Sequence, residues 1–343
     1  MQAAEGHAGR VTTSGAEHER PRRGLVLGAG GVLGAAWTIG ALSALRAATG
    51  EEPGRAEVVV GTSAGSVLAA MLGSGISVEQ MVANQQGIVV EGAPELEYDH
   101  DTDSGGALPP LPRLRLGSAG LLRTSVLHPR SLPPAAAIAS LLPEGRGTLG
   151  PLGRMIDAVA PPSWPSSPRP WIVAMDYDTG KRIVFGRDGS PPALLRDAVL
   201  ASCSIPGWYA PVEIGGRRYV DGGTCSPTSL DLLAPLGLDE VVVLAPMSAT
   251  SYDSPHTVAG RVERRLRRAA TRRLEHEAEK VRAAGTRVII LAPGARDLEV
   301  IGANLMDPRR REATFRTSQR TSAAALRELL ATGTPTPGLA AAG

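Results

Sequence analysis

The strongest constraint on the fold of this chain is the pentapeptide Gly61-Thr62-Ser63-Ala64-Gly65. It follows an apolar, β-branched run at residues 58–60 and precedes a stretch of small and apolar residues, 66–72, that suits a helix. A G-x-S-x-G sequence between a strand and a helix is typical of a nucleophile elbow, a strained turn that presents the serine hydroxyl above the sheet. An ordinary tight turn whose serine caps the helix is the alternative.

A second motif follows the first apolar run, residues 25–27. It reads Gly28-Ala29-Gly30-Gly31-Val32-Leu33-Gly34 and leads into a helix predicted from Ala35 to about Thr49. The backbone N–H groups of such a segment can converge on an anion, either the oxyanion of a reacting ester or a dinucleotide pyrophosphate. The dinucleotide fingerprint needs glycine where Leu33 stands and an acidic residue after the second strand, whereas this second strand ends at the Ser63 turn. An oxyanion hole is therefore favoured.

The third motif is Asp221-Gly222-Gly223, which ends a predicted hairpin. Its two strands lie on either side of Gly215-Gly216, a pair typical of a tight hairpin turn. Asp221 is thus expected at a strand end, with room for its carboxylate to approach another group. Taken alone, Asp-Gly-Gly is usually only a turn.

In this order, the three motifs resemble those of the patatin-like phospholipase family of lipid acyl hydrolases, over about residues 22–330. Residues 171–180 and 201–207 also look similar to the family. The resemblance implies an α/β fold in which helices cover both faces of a mostly parallel central sheet, giving three layers. It also implies a Ser–Asp dyad, in which Ser63 attacks the acyl carbonyl and Asp221 takes its proton. The oxyanion hole would be formed by the amides of Gly30 and Gly31, and Gly28, Gly34, Gly61, Gly65, Gly222 and Gly223 would support the three motifs.

Two positions depart from the family pattern. Leu33 stands where the family commonly has a basic residue, and Ala29 replaces a common glycine. The hole would then depend on backbone amides without a cationic side chain.

A catalytic triad would need histidine as an intermediary. None of the histidines falls in a motif, and only His100 and His128 lie where a catalytic role stays open. The six are His7, His18, His100, His128, His256 and His276.

No cofactor or metal is predicted, because zinc spacing and a calcium loop are both missing from the sequence. Asp99, Asp101 and Asp103 alternate, but no glutamate closes a loop there. The two cysteines, Cys203 and Cys225, are expected as reduced thiols.

The chain has 343 residues, of which 43% are hydrophobic, so it can bury one large core. Because the motifs span the chain, we predict a single catalytic domain over residues 22–331, between a disordered leader (1–21) and a disordered tail (332–343). Residues 91–170 form a variable insert. It is either a lid or acyl-chain funnel, or a solvated surface excursion; the candidate lining residues are Leu114, Leu116, Leu121 and Leu122.

The formal charge of +2 argues against a nucleic-acid partner. The leader has no apolar core of a signal peptide, and we found no run of eighteen apolar residues. These features predict a cytoplasmic protein, with peripheral membrane contact as a further option and the oligomeric state left open.

Near the C-terminus, residues 240–244 and 288–291 are predicted as buried strands around a helix from about Pro255 to Ala284. Its first half is rich in arginine, and this basic face could rest on anionic phospholipid. A solvated face paired with acidic neighbours is the more common outcome. One apolar stripe is predicted to run along the helix: Val258, Val262, Leu266, Ala269 or Ala270, Leu274, Ala278 and Val281.

The function predicted from the sequence is hydrolysis of carboxylic esters in phospholipids or acylglycerols, through an acyl-enzyme on Ser63. A short-chain carboxylesterase or an acyltransferase would use the same chemistry. A weakly active or non-catalytic lipid-binding protein on the same scaffold is the alternative from another class.

Overall fold

A single mixed sheet organises the described part of the chain. The computed structural model describes residues 21–90, 110–113, 116–128, 132–160, 164–166 and 168–332. The strands are β1 (Arg23–Leu27), β2 (Val58–Thr62), β3 (Arg169–Asp176), β4 (Arg182–Phe185), β5 (Val212–Ile214), β6 (Arg217–Asp221), β7 (Glu240–Leu244) and β8 (Arg287–Leu291).

Helices cover both faces of this sheet. They are α1 (Gly31–Thr49), α2 (Ala64–Gly73), α3 (Val78–Gln85), α4 (Ala119–Leu127), α5 (Pro134–Leu141), α6 (Gly150–Val159), α7 (Leu195–Cys203), α8 (Val258–Ala283), α9 (Ala295–Ile301) and α10 (Arg311–Thr332).

The sheet order is β5-β6-β3-β2-β1-β7-β8, with β4 paired to β3. Strands β3, β2, β1, β7 and β8 are mutually parallel, while β4, β5 and β6 pair antiparallel. The β5–β6 hairpin turns through Gly215 (φ 57°) and Gly216 (φ 73°), both in the left-handed region that this type of turn requires. The parallel strands end at one edge, where the serine and glycine-rich motifs lie.

The central strands are apolar on both faces because each face is covered by helices. Leu25 and Leu27 point into one core cluster, built with α1, α2, α6, α7 and α10. Val26, between them, points into a second cluster with the last half of α8. This is the predicted three-layer arrangement, and the predicted fold class is confirmed.

The structure corrects two predictions, one helix start and one apolar helix face. Helix α1 begins at Gly31 rather than Ala35, so Gly31 to Gly34 form its first turn instead of a preceding loop. The apolar stripe predicted along α8 is wrong in its first half, where Val258, Val262 and Leu266 are exposed. The C-terminal strands match closely, with Glu240–Leu244 as predicted and Arg287–Leu291 one residue longer.

Helix α1 is the one described helix that is long and apolar enough to span a bilayer by length and composition. About two thirds of its apolar window, 67%, is buried inside the protein, as expected for a core helix. It packs along α10, where Ser318 donates a hydrogen bond to the Trp37 carbonyl.

Candidate active site

Ser63 lies in a strained turn between β2 and α2. Its φ of 53° is in the left-handed region, which is costly for a residue with a Cβ. Only 5% of Ser63 is exposed. Ser66 steadies the turn, because its N–H and its hydroxyl both donate to the Ser63 carbonyl, at 2.7 and 2.6 Å. The strand–turn–helix geometry expected of a nucleophile elbow is therefore present.

The glycines of the elbow are there because the backbone segments touch. A Cβ at Gly65 would overlap the Leu27 carbonyl at the end of β1, and one at Gly61 would lie 2.5 Å from the Gly65 carbonyl oxygen. Side chains at these positions would push α2 away from β1 and β2. The two flanking glycines of the motif thus set how closely α2 approaches the sheet.

Strand β3 brings Ser63 and Asp221 together. Thr62 of β2 pairs with Val173, and Asp221 of β6 pairs with the next residue, Ala174. The Asp221 carboxyl group lies within hydrogen-bonding reach of the Ser63 side chain, which lowers the carboxyl pKa. The structure therefore brings together two residues singled out from separate motifs.

The carboxyl group of Asp221 is held away from water, with 6% of the residue exposed. Burial raises its pKa from 3.8 to about 6, against the lowering effect of the hydrogen bonds from Ser63 and from the Gly223 N–H. The Gly223 N–H donates to Oδ1 at 2.7 Å. A carboxylate with this pKa is a better proton acceptor near neutral pH than an ordinary aspartate.

Ser202 is a site residue that the sequence analysis did not single out by itself. Its Oγ accepts a hydrogen bond from the Ser63 N–H at 2.8 Å and donates to the Val173 carbonyl at 2.6 Å. It thereby ties Ser63 to β3, the strand that also pairs with Asp221. The available signal was its place in the segment 201–207, which looked similar to the family.

The glycine-rich segment lies beside the elbow at the N-terminus of α1. Within the described residues, the N–H groups of Gly30 and Gly31 have no hydrogen-bond partner in the protein, whereas those of Gly28, Ala29 and Leu33 are bonded to neighbouring carbonyls. Free N–H groups at a helix N-terminus suit a developing negative charge. Leu33 is fully buried in the core, so the position where the family commonly has a basic residue does not face the pocket.

An apolar pocket opens at Ser63. It encloses about 850 Å³ between protein atoms, including a part open to solvent. Arg311 is the one charged side chain among its described lining residues. The walls come mainly from α1, α2, α3 and α6: Val32, Ala35, Ile39, Val67, Leu68, Met71, Met81, Leu149, Leu152 and Met155.

Of the predicted funnel residues, the three that the structure describes do not line this pocket. Leu121 is buried in a separate cluster with Tyr177 and Cys225, and neither Leu116 nor Leu122 contributes to the walls. Leu114 lies outside the described residues. The insert contributes instead through α6, whose amphipathic pattern lets it cover the pocket with Leu152 and Met155.

The described histidines contribute nothing to the pocket wall. His128, His256 and His276 are exposed, and none of the three lines the pocket. Within the described residues, no group of three or more His, Cys, Asp or Glu side chains could hold a metal ion. His100 and the Asp99–Asp103 alternation lie outside the described residues. Cys203 and Cys225 are free thiols, and burial raises the pKa of both.

A family model for the patatin-like phospholipases matches residues 25–234, which is more than half of the chain and includes all three motifs. The chain belongs to the patatin-like phospholipase family. This membership confirms the resemblance drawn from the motifs and supports lipid hydrolysis as the general function.

Two solved structures are similar to this patatin-like chain at low identity. VipD from Legionella pneumophila is 14% identical, with a TM-score of 0.43, over 90% of this chain and 67% of the VipD chain. The type III effector protein ExoU is 18% identical, with a TM-score of 0.36, over 90% of this chain. This chain spans about half, 53%, of the ExoU chain.

Proposed function

We propose that this protein is a serine lipid acyl hydrolase that cleaves carboxylic esters through an acyl-enzyme on Ser63. The observation that carries the proposal is that a strained serine lines an apolar pocket and lies within hydrogen-bonding reach of a buried carboxylate. A buried carboxylate with a raised pKa and a nucleophile within hydrogen-bond reach are features of catalytic sites.

The first half of the reaction forms the acyl-enzyme. Ser63 Oγ attacks the carbonyl carbon of the ester while its proton passes to Asp221. The carbonyl oxygen becomes an oxyanion, which the N–H groups of Gly30 and Gly31 stabilise. The intermediate collapses, the bond to the leaving alcohol breaks, and the alcohol oxygen receives the proton from Asp221.

The second half restores the enzyme. Water attacks the acyl carbon, Asp221 takes a proton from it, and the same N–H groups bind the new oxyanion. Collapse breaks the bond to Ser63 Oγ, which regains the proton, and the fatty acid leaves. The apolar pocket holds the acyl chain throughout, with α6 of the insert as one wall.

Phospholipids are favoured over acylglycerols as substrates because of Arg311. This cation lines the same pocket as Ser63, together with Met306 and the first turn of α1. A guanidinium group binds phosphate well, and a neutral acylglycerol offers it no anion. Arg311→Gln is expected to lower kcat/KM for a phospholipid about tenfold or more and to change that for a diacylglycerol little.

A fluorophosphonate probe tests the nucleophile directly. The protein is expected to gain one covalent adduct on Ser63, located by peptide mass spectrometry, and Ser63→Ala is expected to gain none while melting at the same temperature. Turnover of phosphatidylcholine, measured as released fatty acid, should disappear in the same variant. Hydrolysis by a folded Ser63→Ala protein would refute the assignment. A wild-type protein that neither reacts nor hydrolyses would favour the lipid-binding alternative.

A further inference from the structure

The first half of α8 exposes an apolar stripe. Val258, Val262 and Leu266 are spaced by four residues, so they lie along one face of the helix. Their exposed fractions are 70%, 49% and 61%. Scattered exposed apolar residues are ordinary, but a row on one helix face is typical of an interaction surface.

The opposite face of the same half is buried and charged. Arg267 is fully buried; it pairs with Glu263 and donates to the carbonyls of Pro246 and Ser248. Arg264 pairs with Asp253 and Glu263 and donates to the Leu298 and Gly302 carbonyls.

These contacts fix the rotation of the helix. Burying charged groups is costly unless they are fully paired, and here each arginine has several partners. A helix that could have buried its apolar stripe is therefore held with that stripe facing outwards.

Two arginines border the exposed stripe without acidic partners. Arg261 and Arg265 are exposed, and within the described residues their side chains make no ion pair or hydrogen bond. Glu263, the acid of α8 nearest to them in sequence, is already engaged by Arg264 and Arg267. These two arginines therefore do not form the solvated face paired with acidic neighbours, which is the more common outcome for a basic helix.

This half of α8 lies close to the active site. Arg267 bonds to the carbonyl of Pro246, whose ring lies against Gly30 and Gly34 of the glycine-rich segment. Arg264 bonds to the Gly302 carbonyl, in the loop that carries Met306 into the pocket wall. Because α8 follows β7, its first half is at the edge where the parallel strands end, the same edge as Ser63.

We propose that Val258, Val262 and Leu266, with Arg261 and Arg265, form a docking surface for an anionic lipid bilayer, here called the α8 surface. Apolar side chains flanked by arginines fit the boundary between acyl chains and negatively charged headgroups. This proposal rests on the proposed lipid hydrolysis, because docking through the α8 surface would place the pocket near the bilayer that holds the substrate.

Vesicle co-sedimentation tests the α8 surface independently of catalysis. All variants carry Ser63→Ala, so lipid is not consumed and binding is measured even if the proposed reaction is wrong. Vesicles of phosphatidylcholine alone and of equimolar phosphatidylcholine and phosphatidylglycerol are compared. The parent, which carries Ser63→Ala alone, is expected to bind the anionic vesicles more strongly than the phosphatidylcholine vesicles. Its binding to the anionic vesicles is expected to weaken as the salt concentration is raised.

Two double variants dissect the surface. Arg261→Glu with Arg265→Glu is expected to weaken binding to the anionic vesicles more than tenfold, since each basic residue at a membrane surface contributes appreciably. Val262→Ser with Leu266→Ser is expected to weaken it severalfold. The matched controls change exposed residues elsewhere: Arg320→Glu with Arg327→Glu in α10, and Val126→Ser with Leu127→Ser in α4. They are expected to bind like the parent.

The same double variants with Ser63 intact should hydrolyse a soluble p-nitrophenyl ester at the wild-type rate, which separates docking from chemistry. The proposal is wrong if the parent does not bind anionic vesicles, or if the α8 variants bind as the parent does. It is also wrong if light scattering shows that the α8 variants convert a dimer to monomers, since the occupant would then be a second copy of the chain.

Discussion

At the scale of single residues, the environment of Asp221 decides what Ser63 can do. An aspartate in water is too weak a base to accept a serine proton efficiently at neutral pH. Burial beside Ser63 raises the pKa of Asp221 to about 6, which brings it closer to neutral pH and makes the carboxylate a stronger base. In the proposed dyad, burial supplies part of the basicity for which a triad would use histidine.

Asp221→Asn tests this base. The amide keeps the shape of the side chain but cannot accept the proton, so kcat is expected to fall by about 10²- to 10⁴-fold. His128→Ala and His100→Ala should each cost little by comparison. If either histidine variant were as damaging as Asp221→Asn in a folded protein, the reaction would use a triad.

The pH dependence of kcat/KM in the wild-type protein should also report the ionisation of Asp221. Because the base must be ionised, kcat/KM is expected to rise with pH and reach half its plateau near pH 6. An unperturbed imidazole titrates near 6.5, which is close to this value. The loss of the acidic limb in Asp221→Asn is therefore the decisive measurement.

Asp221 also links stability to pH. Its folded pKa of about 6 exceeds the ordinary 3.8, so the native state binds more protons between these values and the unfolding free energy falls as pH rises through that window. Asn is neutral at every pH. Denaturant unfolding should therefore find Asp221→Asn similar to the parent near pH 3 and more stable at pH 8, by up to about 3 kcal/mol. Equal pH dependence in the two proteins would contradict the raised pKa.

Ser202→Ala tests a positioning role. The change leaves the Ser63 N–H and the Val173 carbonyl without their buried partner, which should lower the unfolding free energy by about 1–3 kcal/mol. Because the elbow then loses its tie to β3, kcat should fall about tenfold or more with little change in KM. Ser202→Thr, which restores the hydroxyl, should recover kcat if it folds. A stable alanine variant with full kcat would show that Ser202 is not needed.

At the scale of elements, the sequence predicts strand and turn positions best where the local residue preferences agree with what the packing requires. The β5–β6 hairpin and β7 could be placed closely, because Gly215-Gly216 and the valine run at 241–243 allow few other structures. The elbow was predictable for the same reason. Its contact with Asp221 depends on the pairing of β3 with both β2 and β6, which no local pattern encodes.

Helix α8 shows why hydrophobic periodicity fails in places. Its second half follows the rule, with Leu274, Ala278 and Val281 buried. Its first half reverses the rule, because Arg264 and Arg267 find carbonyls and carboxylates beneath them. Those partners come from residues 246–253 and 298–302, so only the tertiary structure identifies the buried face.

Gly65→Ala tests the packing of α2 on the sheet. The added methyl group would overlap the Leu27 carbonyl, and that backbone cannot yield without moving β1. We expect a loss of several kcal/mol in unfolding free energy, or failure to fold. Gly54→Ala is the matched control, since its new Cβ would meet only Leu72, at 3.5 Å. Its stability should change by less than about 1 kcal/mol; equal effects of the two changes would contradict the close approach.

At the scale of the whole molecule, the reaction is expected to need no metal. The proposed steps use only serine, aspartate and backbone N–H groups, and within the described residues no group of three or more His, Cys, Asp or Glu side chains could hold a metal ion. Dialysis against EDTA should leave ester hydrolysis unchanged, measured beside an untreated sample. Recovery of lost activity by calcium or zinc would overturn the dyad chemistry.

The order of the strands along the chain has a consequence for synthesis. Ser63 enters the nascent chain early, whereas β6, which carries Asp221, follows about 160 residues later. At translation rates of ~5–20 residues per second, this interval is about 8–30 s. During it Ser63 is without the proposed base, because β6 has not yet paired with β3. Under the proposed chemistry, hydrolytic activity is therefore expected only after most of the sheet has been made.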